Sequence, residues 1–350
     1  MLVRRYILYS VVKAFLAALA VLYSVMVIVE WISMGQFITV KDADLLVLAM
    51  LPIAVFVIPM ALLFSVLFVL ERLSSESEII AMTACGIKHG TLFMPIFWFS
   101  VFCMVIQIFI SGYFGPLSMQ TIKNRLLEKA PQKIYSFIQE RKFDNTFKNI
   151  VFYVESVDLV NKELHSVFIE TRGRDAYVVT AQNGFLDVTS SGIMMRLSNG
   201  SVFMQKDNVL RSVSFDEYVF GLEANFGREL DISTYETATQ PQLLAMIKKK
   251  PEPKFIKEFH NRFSFPILNL ILGLVGITFG VQRPRTPKFT GFVIGVGTIV
   301  CYYLVFIFSS RLVKGEVIGP VLGAWIPNAV FSCALAGIWL WRKSVPREGG

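Results

Sequence analysis

SSESEIIAMTACGIKHG, Ser74 to Gly90, is a short polar interruption between two long apolar runs, Leu45 to Leu70 and Leu92 to Gly112. A helix needs about 20 mostly apolar residues to cross the roughly 30 Å hydrocarbon core of a bilayer, and each flanking run is long enough. The stretch therefore reads as a loop at a membrane surface. Moving outward, Ile7 to Met34, Phe263 to Val281, Phe289 to Phe308 and Leu322 to Trp341 have the same character. The spans come as three, a long gap, then three. Composition agrees: 54% of the 350 residues are hydrophobic and 17% charged, against about 25% charged in a soluble domain.

Arg4 and Arg5 precede the first run as they would in a signal peptide. The run continues past the roughly 7–15 residues of such a segment and no small-x-small cleavage site closes it, so it is read as an uncleaved helix. Lys and Arg set the orientation. Eleven lie in the N-terminus, the Glu71 to Thr91 loop, the approach to the fifth span and the tail, against Lys41, Arg311 and Lys314 in the two short loops opposite. Both termini are expected in the cytoplasm and the long gap outside. The formal net charge of +8 is this topology signal, because Pro116 to Asn261 holds 19 basic and 18 acidic residues. No nucleic-acid surface is expected.

The four cysteines, Cys85, Cys103, Cys301 and Cys333, avoid the outer segment, which cannot rely on disulfides. His89, His165 and His260 lack metal-ligand spacing, so no metal site is expected. A GxxxxGK[ST] loop and a GxSxG elbow are both missing. Nothing catalytic is expected.

From about Ile134 to Glu223 the hydrophobic period falls to two. NIVFYVESV, LHSVFIETR, DAYVVTAQNGFLDV, GIMMRLSNGSVFMQ and VLRSVSFDEYVF are rich in strand formers and separated by turn formers. Asn199-Gly200 is the strongest hairpin signal. Short strands at this spacing predict an all-β sandwich or jelly roll, the bland alternative being a domain that merely stabilises the protein. The boundaries expected are 1–115 for three spans, 116–133 and 231–261 for connectors, 134–230 for the β domain and 262–350 for three spans and a tail.

Within the opening stretch, Ser75 and Glu78 match an S-x-x-E capping box and Gly86 supplies a stop, predicting a helix over Glu76 to Cys85. Its wheel puts Ile79, Ile80, Ala84 and Ile87 on one face and Ser77, Glu78, Ala81 and Cys85 on the other. On physics alone this is a capped interfacial helix. Lys41, Arg262, Arg311 and Lys314 fall at the outer ends of spans, where snorkelling to headgroups is one reading and a functional role the other.

ESEIIAMTACG, Glu76 to Gly86, resembles the segment between the second and third spans of the LptF/LptG permeases, also called the YjgP/YjgQ family. NRFSFPILNLILGLVGITFG (Asn261 to Gly280) and AWIPN (Ala324 to Asn328) follow in the family's order, so the resemblance covers essentially the whole chain. SESEI…ACG and VFYVESVD (Val151 to Asp158) look more like the LptF branch. The resemblance implies a polytopic α-helical membrane protein of six transmembrane helices with an inserted all-β periplasmic jelly-roll domain, in the inner membrane of a Gram-negative bacterium.

It further implies a permease subunit of an ABC transporter, without enzymatic activity or a cofactor of its own. ATP would be bound by an LptB-type ATPase dimer, on which the coupling helix at 75–86 docks through Glu76, Glu78, Ile79, Met82, Cys85 and Gly86. The other implied partners are a paralogous permease, LptC/LptA-type periplasmic jelly-roll proteins, membrane lipids and lipopolysaccharide, which is extracted and passed to a periplasmic bridge. Lys41, Arg262, Arg311 and Lys314 suit the phosphorylated headgroup. Tyr153, Phe168, Val178, Leu186, Met195 and Val202 are expected to line a trough for acyl chains. The rival is a non-transporting β domain anchored in the membrane as an assembly tether. Lipoprotein-release permeases fit less well, because they resemble four-span proteins with the large domain after the first span.

Overall fold

The computed structural model describes residues 2–34, 43–125, 141–142, 150–158, 163–171, 177–189, 192–206, 209–222, 234–282 and 289–344. The chain divides into a helical unit (1–33, 41–120 and 233–350) and a second unit (34–40 and 121–232) that carries the strands.

The helices are α1 (Leu2–Met34), α2 (Ala43–Ser75), α3 (Glu78–Ala84) and α4 (His89–Phe109), which runs through a π-helical turn (Ile110–Phe114). After the strands come α5 (Thr234–Thr237), α6 (Gln240–Lys249), α7 (Pro253–Gly280), α8 (Thr290–Lys314) and α9 (Pro320–Ser344). Among the described residues, six helices are long and apolar enough to cross a membrane: Leu2–Ile32, Asp44–Ser75, Gly90–Arg125, Pro253–Gly280, Thr290–Lys314 and Pro320–Trp341.

α7 packs against α2, α4 and α9. A cluster of Leu63 and Leu67 with Phe265, Leu268, Leu272 and Tyr302 ties α2, α7 and α8 together. Close approach needs small residues where lipid tails remove the hydrophobic drive between helices. Gly276 meets this need, since a Cβ there would lie 2.6 Å from Val66.

The spans carry prolines, each of which leaves the carbonyl four residues earlier without its helical donor. In hydrocarbon that carbonyl needs another partner. Pro59 frees the Val55 carbonyl, and Gln107 of α4 donates its Nε2 to it at 2.8 Å. Pro327 frees the Gly323 carbonyl, and Ser309 of α8 donates its hydroxyl to it. Buried Asn269 of α7 in turn donates to Gln107 Oε1 at 2.5 Å, and Asn328 donates to Ser264 O at 2.8 Å. Broken helical bonds have become ties between helices.

The strands are β1 (Ile150–Asp158), β2 (Glu163–Thr171), β3 (Tyr177–Thr189), β4 (Gly192–Lys206) and β5 (Val209–Leu222), in one antiparallel sheet of order β1-β2-β3-β4-β5. Each expected strand is present, and the crossings of a jelly roll do not occur among the described pairings. The Asn199-Gly200 hairpin does not form: β4 passes through both residues, with Asn199 at φ 53°. That φ belongs to a crease crossing the whole sheet. Val154, Val167, Ala181, Gly200 and Phe215 pair in one row, and Ser156, His165, Asn183, Ser198 and Glu217 in another. The row between them, Glu155, Ser166, Gln182, Asn199 and Asp216, has no assigned pairs.

Core residues change phase across the crease. Phe152 and Val154 on β1 or Val179 and Ala181 on β3 lie on one side of it, Leu164 on β2 and Met195 and Leu197 on β4 on the other. Each strand thus slips one residue in its alternation without losing register.

Candidate functional site

α2 remains helical through Ser75, whose hydroxyl donates back to the Arg72 carbonyl at 2.9 Å. The residue capping α3 is Ser77, at φ 58°, with no side-chain cap bond. The expected capping box is therefore not formed, because Ser75 serves its own helix through the common i−3 bond and a left-handed cap residue cannot aim its side chain as an extended one does. The helix runs from Glu78 to Ala84 instead of Glu76 to Cys85. Gly86 acts as the stop at φ 82°, with Gly86 N–H donating to Thr83 O at 2.9 Å and Ile87 N–H to Met82 O at 3.2 Å. This is the Schellman pairing that glycine permits.

Ile79 is buried, and Met82 and Ile87 pack with it against the cluster formed by α1, α2 and α4. Ile80, Ala81, Ala84 and Cys85 are exposed. The wheel thus placed Ile79 and Ile87 as found, while Ile80 and Ala84 lie on the opposite side from that expected. Of the docking residues expected, Glu76, Cys85 and Gly86 are exposed, Ile79 is buried and Met82 half-buried. Glu78 accepts a hydrogen bond from the Tyr6 hydroxyl at 3.3 Å, and Arg72 Nη2 donates to that hydroxyl at 3.3 Å. Sequence reasoning missed Tyr6, which fastens α3 to α1.

At the far end of α7, the four expected cations separate. Lys41 lies outside the described residues. Arg262 is 4% exposed and its guanidinium is fully occupied within the chain. Nε donates to Glu258 at 3.1 Å, Nη1 to Ala238 O at 2.6 Å, and Nη2 to Tyr235 O and Glu236 O at 3.2 and 3.3 Å. It thus covers the carbonyl end of α5, the end where donors and positive charge are favourable. Arg262 does not present itself to a headgroup.

Arg311 and Lys314 are exposed in the last turn of α8. Beside them is a cation sequence reasoning assigned to the connector: Lys257 donates to Ser310 Oγ at 2.6 Å and lies over the Phe306 ring at 5.5 Å. Phe306, Ser310 and Lys314 are successive positions of one helical stripe. The group is two amines and a hydroxyl on adjacent helices, beside one guanidinium, suited to an anion's oxygens.

In the β unit, Tyr153, Phe168 and Val178 are half-buried on the face opposite the core. Met195 and Val202 belong to the core itself. The phase slip put Met195 there, and register did the same for Val202, which pairs with Val179 and not with Val178 or Thr180. Leu186 pairs with Met195 in the backbone register, and its side chain is outside the described residues. The expected residues therefore do not form one trough.

Fold and side-chain arrangement define a class: a polytopic helical membrane protein with an antiparallel sheet inserted between its third and fourth spans. The family model for the lipopolysaccharide export system permease LptF/LptG matches residues 5–343, and the chain belongs to that family. It is similar to the lipopolysaccharide export system permease protein LptF of Escherichia coli strain K12, 23% identical over 383 aligned positions spanning all of both chains. It is also similar to an uncharacterized protein of Rickettsia prowazekii, 25% identical over 266 residues that cover 72% of this chain and 73% of the relative.

Proposed function

We propose that this permease is one subunit of an ABC transporter of the inner membrane, with both termini cytoplasmic and the β unit periplasmic. A separate ATPase drives it and a paralogous permease completes the membrane part. The observation that carries this reading is α3: a helix held from behind by Ile79, Met82 and the Tyr6–Glu78 bond, with Ile80, Ala81, Ala84 and Cys85 outward. A firmly backed helix with a small, apolar outer face suits the groove of a cytoplasmic partner, in the helix-in-groove mode. Its motions would then pass directly into α1 and α2.

In the same reading, Lys257, Arg311 and Lys314 hold phosphate oxygens of the lipid headgroup, each charge-assisted bond contributing about 1.5–3 kcal/mol. The lipid leaves through the β unit to further periplasmic β domains, which can pair with the edge of β5. The test is co-purification from a mild detergent with the cognate ATPase. The full chain should bring it down, and Ile80→Arg with Ala84→Arg should not, while Tyr6→Phe should retain it more weakly. If the unaltered chain brings down no ATPase, the protein is a tether and not a transporter subunit.

A further inference from the structure

The crease in the sheet has a consequence for the face opposite the core. In an uninterrupted strand, neighbouring residues point to opposite faces. The slip instead sets polar pairs on one face: Gln182 with Asn183, Ser198 with Asn199, Asp216 with Glu217. Ser166 and Asn199 both have φ 53°. Asn tolerates this region and Ser does so less readily, so the backbone is held in an uncommon state at two places in one row. Beside this row is a cavity of about 700 Å³, within the roughly 300–1,000 Å³ of small-molecule sites.

Its lining has a distinct chemistry. Gln182, Asn199, Ser166, Ser201 and Thr180 offer amides and hydroxyls, and Tyr153 and Phe168, paired across β1 and β2, offer ring faces. Among the described residues, Asp216 is the one charged residue in the lining. A Cβ at Gly200 would collide with the Thr180 carbonyl and come within 2.5 Å of the Phe215 ring, so glycine lets that ring close over the strand on the core side, beneath the cavity.

We propose that this cavity binds a neutral hexose unit of a saccharide. An anionic group would meet Asp216 and, among the described residues of the lining, no cation. An acyl chain would take the Gln182 and Asn199 amides out of water and give them nothing to bond, at a penalty comparable to a lost hydrogen bond for each. A peptide strand would need an open sheet edge to pair with, and the cavity lies across the face of the sheet, its lining drawn from all five strands. A pyranose ring answers both kinds of lining, with hydroxyls for the amides and an apolar C–H face for the aromatic rings. This assignment rests on the β unit alone and not on the export reading.

The test is saturation-transfer NMR on the full chain in lipid nanodiscs prepared without sugar-headed detergent, using methyl glucoside, methyl galactoside and methyl mannoside as probes. At least one should show saturation of its ring C–H protons. Gln182→Ala and Asp216→Ala, both at exposed positions, should each weaken binding about fivefold, the loss of one hydrogen bond, with unchanged melting curves. Arg211→Ala, exposed elsewhere on β5, should bind as the unaltered chain does. Absence of saturation with all three hexosides would overturn the assignment. So would equal binding by the two cavity variants, or displacement of the hexoside by decanoate.

Discussion

Lys257 and Arg262 are little more than a turn apart on α7 and carry the same charge, yet the fold treats them oppositely. Arg262 is buried against Glu258 and three backbone carbonyls, so its charge holds the chain together. Lys257 makes one bond to a neutral hydroxyl and stands near exposed Lys314 and Arg311. A planar fork with five donors can satisfy many fixed acceptors, whereas an ammonium on a long stem can reach outward for a mobile one. Where a charge lies along a span therefore says less about its role than which acceptors surround it.

Changing Arg262 should have the largest effect on stability. Arg262→Ala leaves the α5 carbonyls and Glu258 without their donor, and loss of one partner of a buried pair costs about 3–5 kcal/mol. A thermal melt in nanodiscs should drop markedly, and Arg262→Lys should recover only part. A melt unchanged by Arg262→Ala would erase the contrast with Lys257. Next comes Gln107→Leu, which uncovers the Val55 carbonyl freed by Pro59. An unpaired buried acceptor costs about 1–3 kcal/mol, so this melt should fall less.

Lys257→Glu together with Lys314→Glu should lower stability by about 1 kcal/mol, the loss of the half-buried Lys257 bond to Ser310, since Lys314 is exposed. ATP-driven lipid release from proteoliposomes should nevertheless fail, with ATPase assembly intact. Normal release would reduce these residues to anchors in the headgroup region. Ser75→Ala should do still less. A true N-cap contributes about 0.5–2 kcal/mol, but this hydroxyl bonds back to its own helix, so neither the melt nor ATPase association should move.

The smallest effect concerns Glu252, just before α7. Hydrogen bonds from Lys250, then from Lys254, hold its carboxyl below the usual carboxylate value. A lowered folded pKa contributes stability above the ordinary value of 4.5 and loses it as the pH falls through the folded one. Glu252 is half-buried but its lysine partners are exposed, so Glu252→Gln should cost little at pH 7, and that small difference from the unaltered chain should vanish in the acid limb of a melt series.

Much of this was legible beforehand. The spans were visible because a bilayer demands a run of apolar residues whatever the neighbours are, and the strands because period-two patterning survives at every register. Gly86 was readable as a stop because a single residue's freedom of φ decides it. The capping box failed because the same serine had a second acceptor within its own helix. The residues expected to line one trough fall on both faces, Met195 because one slipped residue at the crease exchanges the faces and Val202 by its register with Val179.

The sequence by itself determined the six spans, the five strands and the family, since each follows from local composition or from short ordered motifs. Tertiary structure alone decided which cation faces inward, which face of α3 is free and where the sheet changes phase. Those depend on hydrogen-bond partners brought from distant segments: Ala238 to Arg262, Tyr6 to Glu78, Val55 to Gln107. A side chain's role is set by the partners its fold supplies, and such partners leave no periodic trace along the chain.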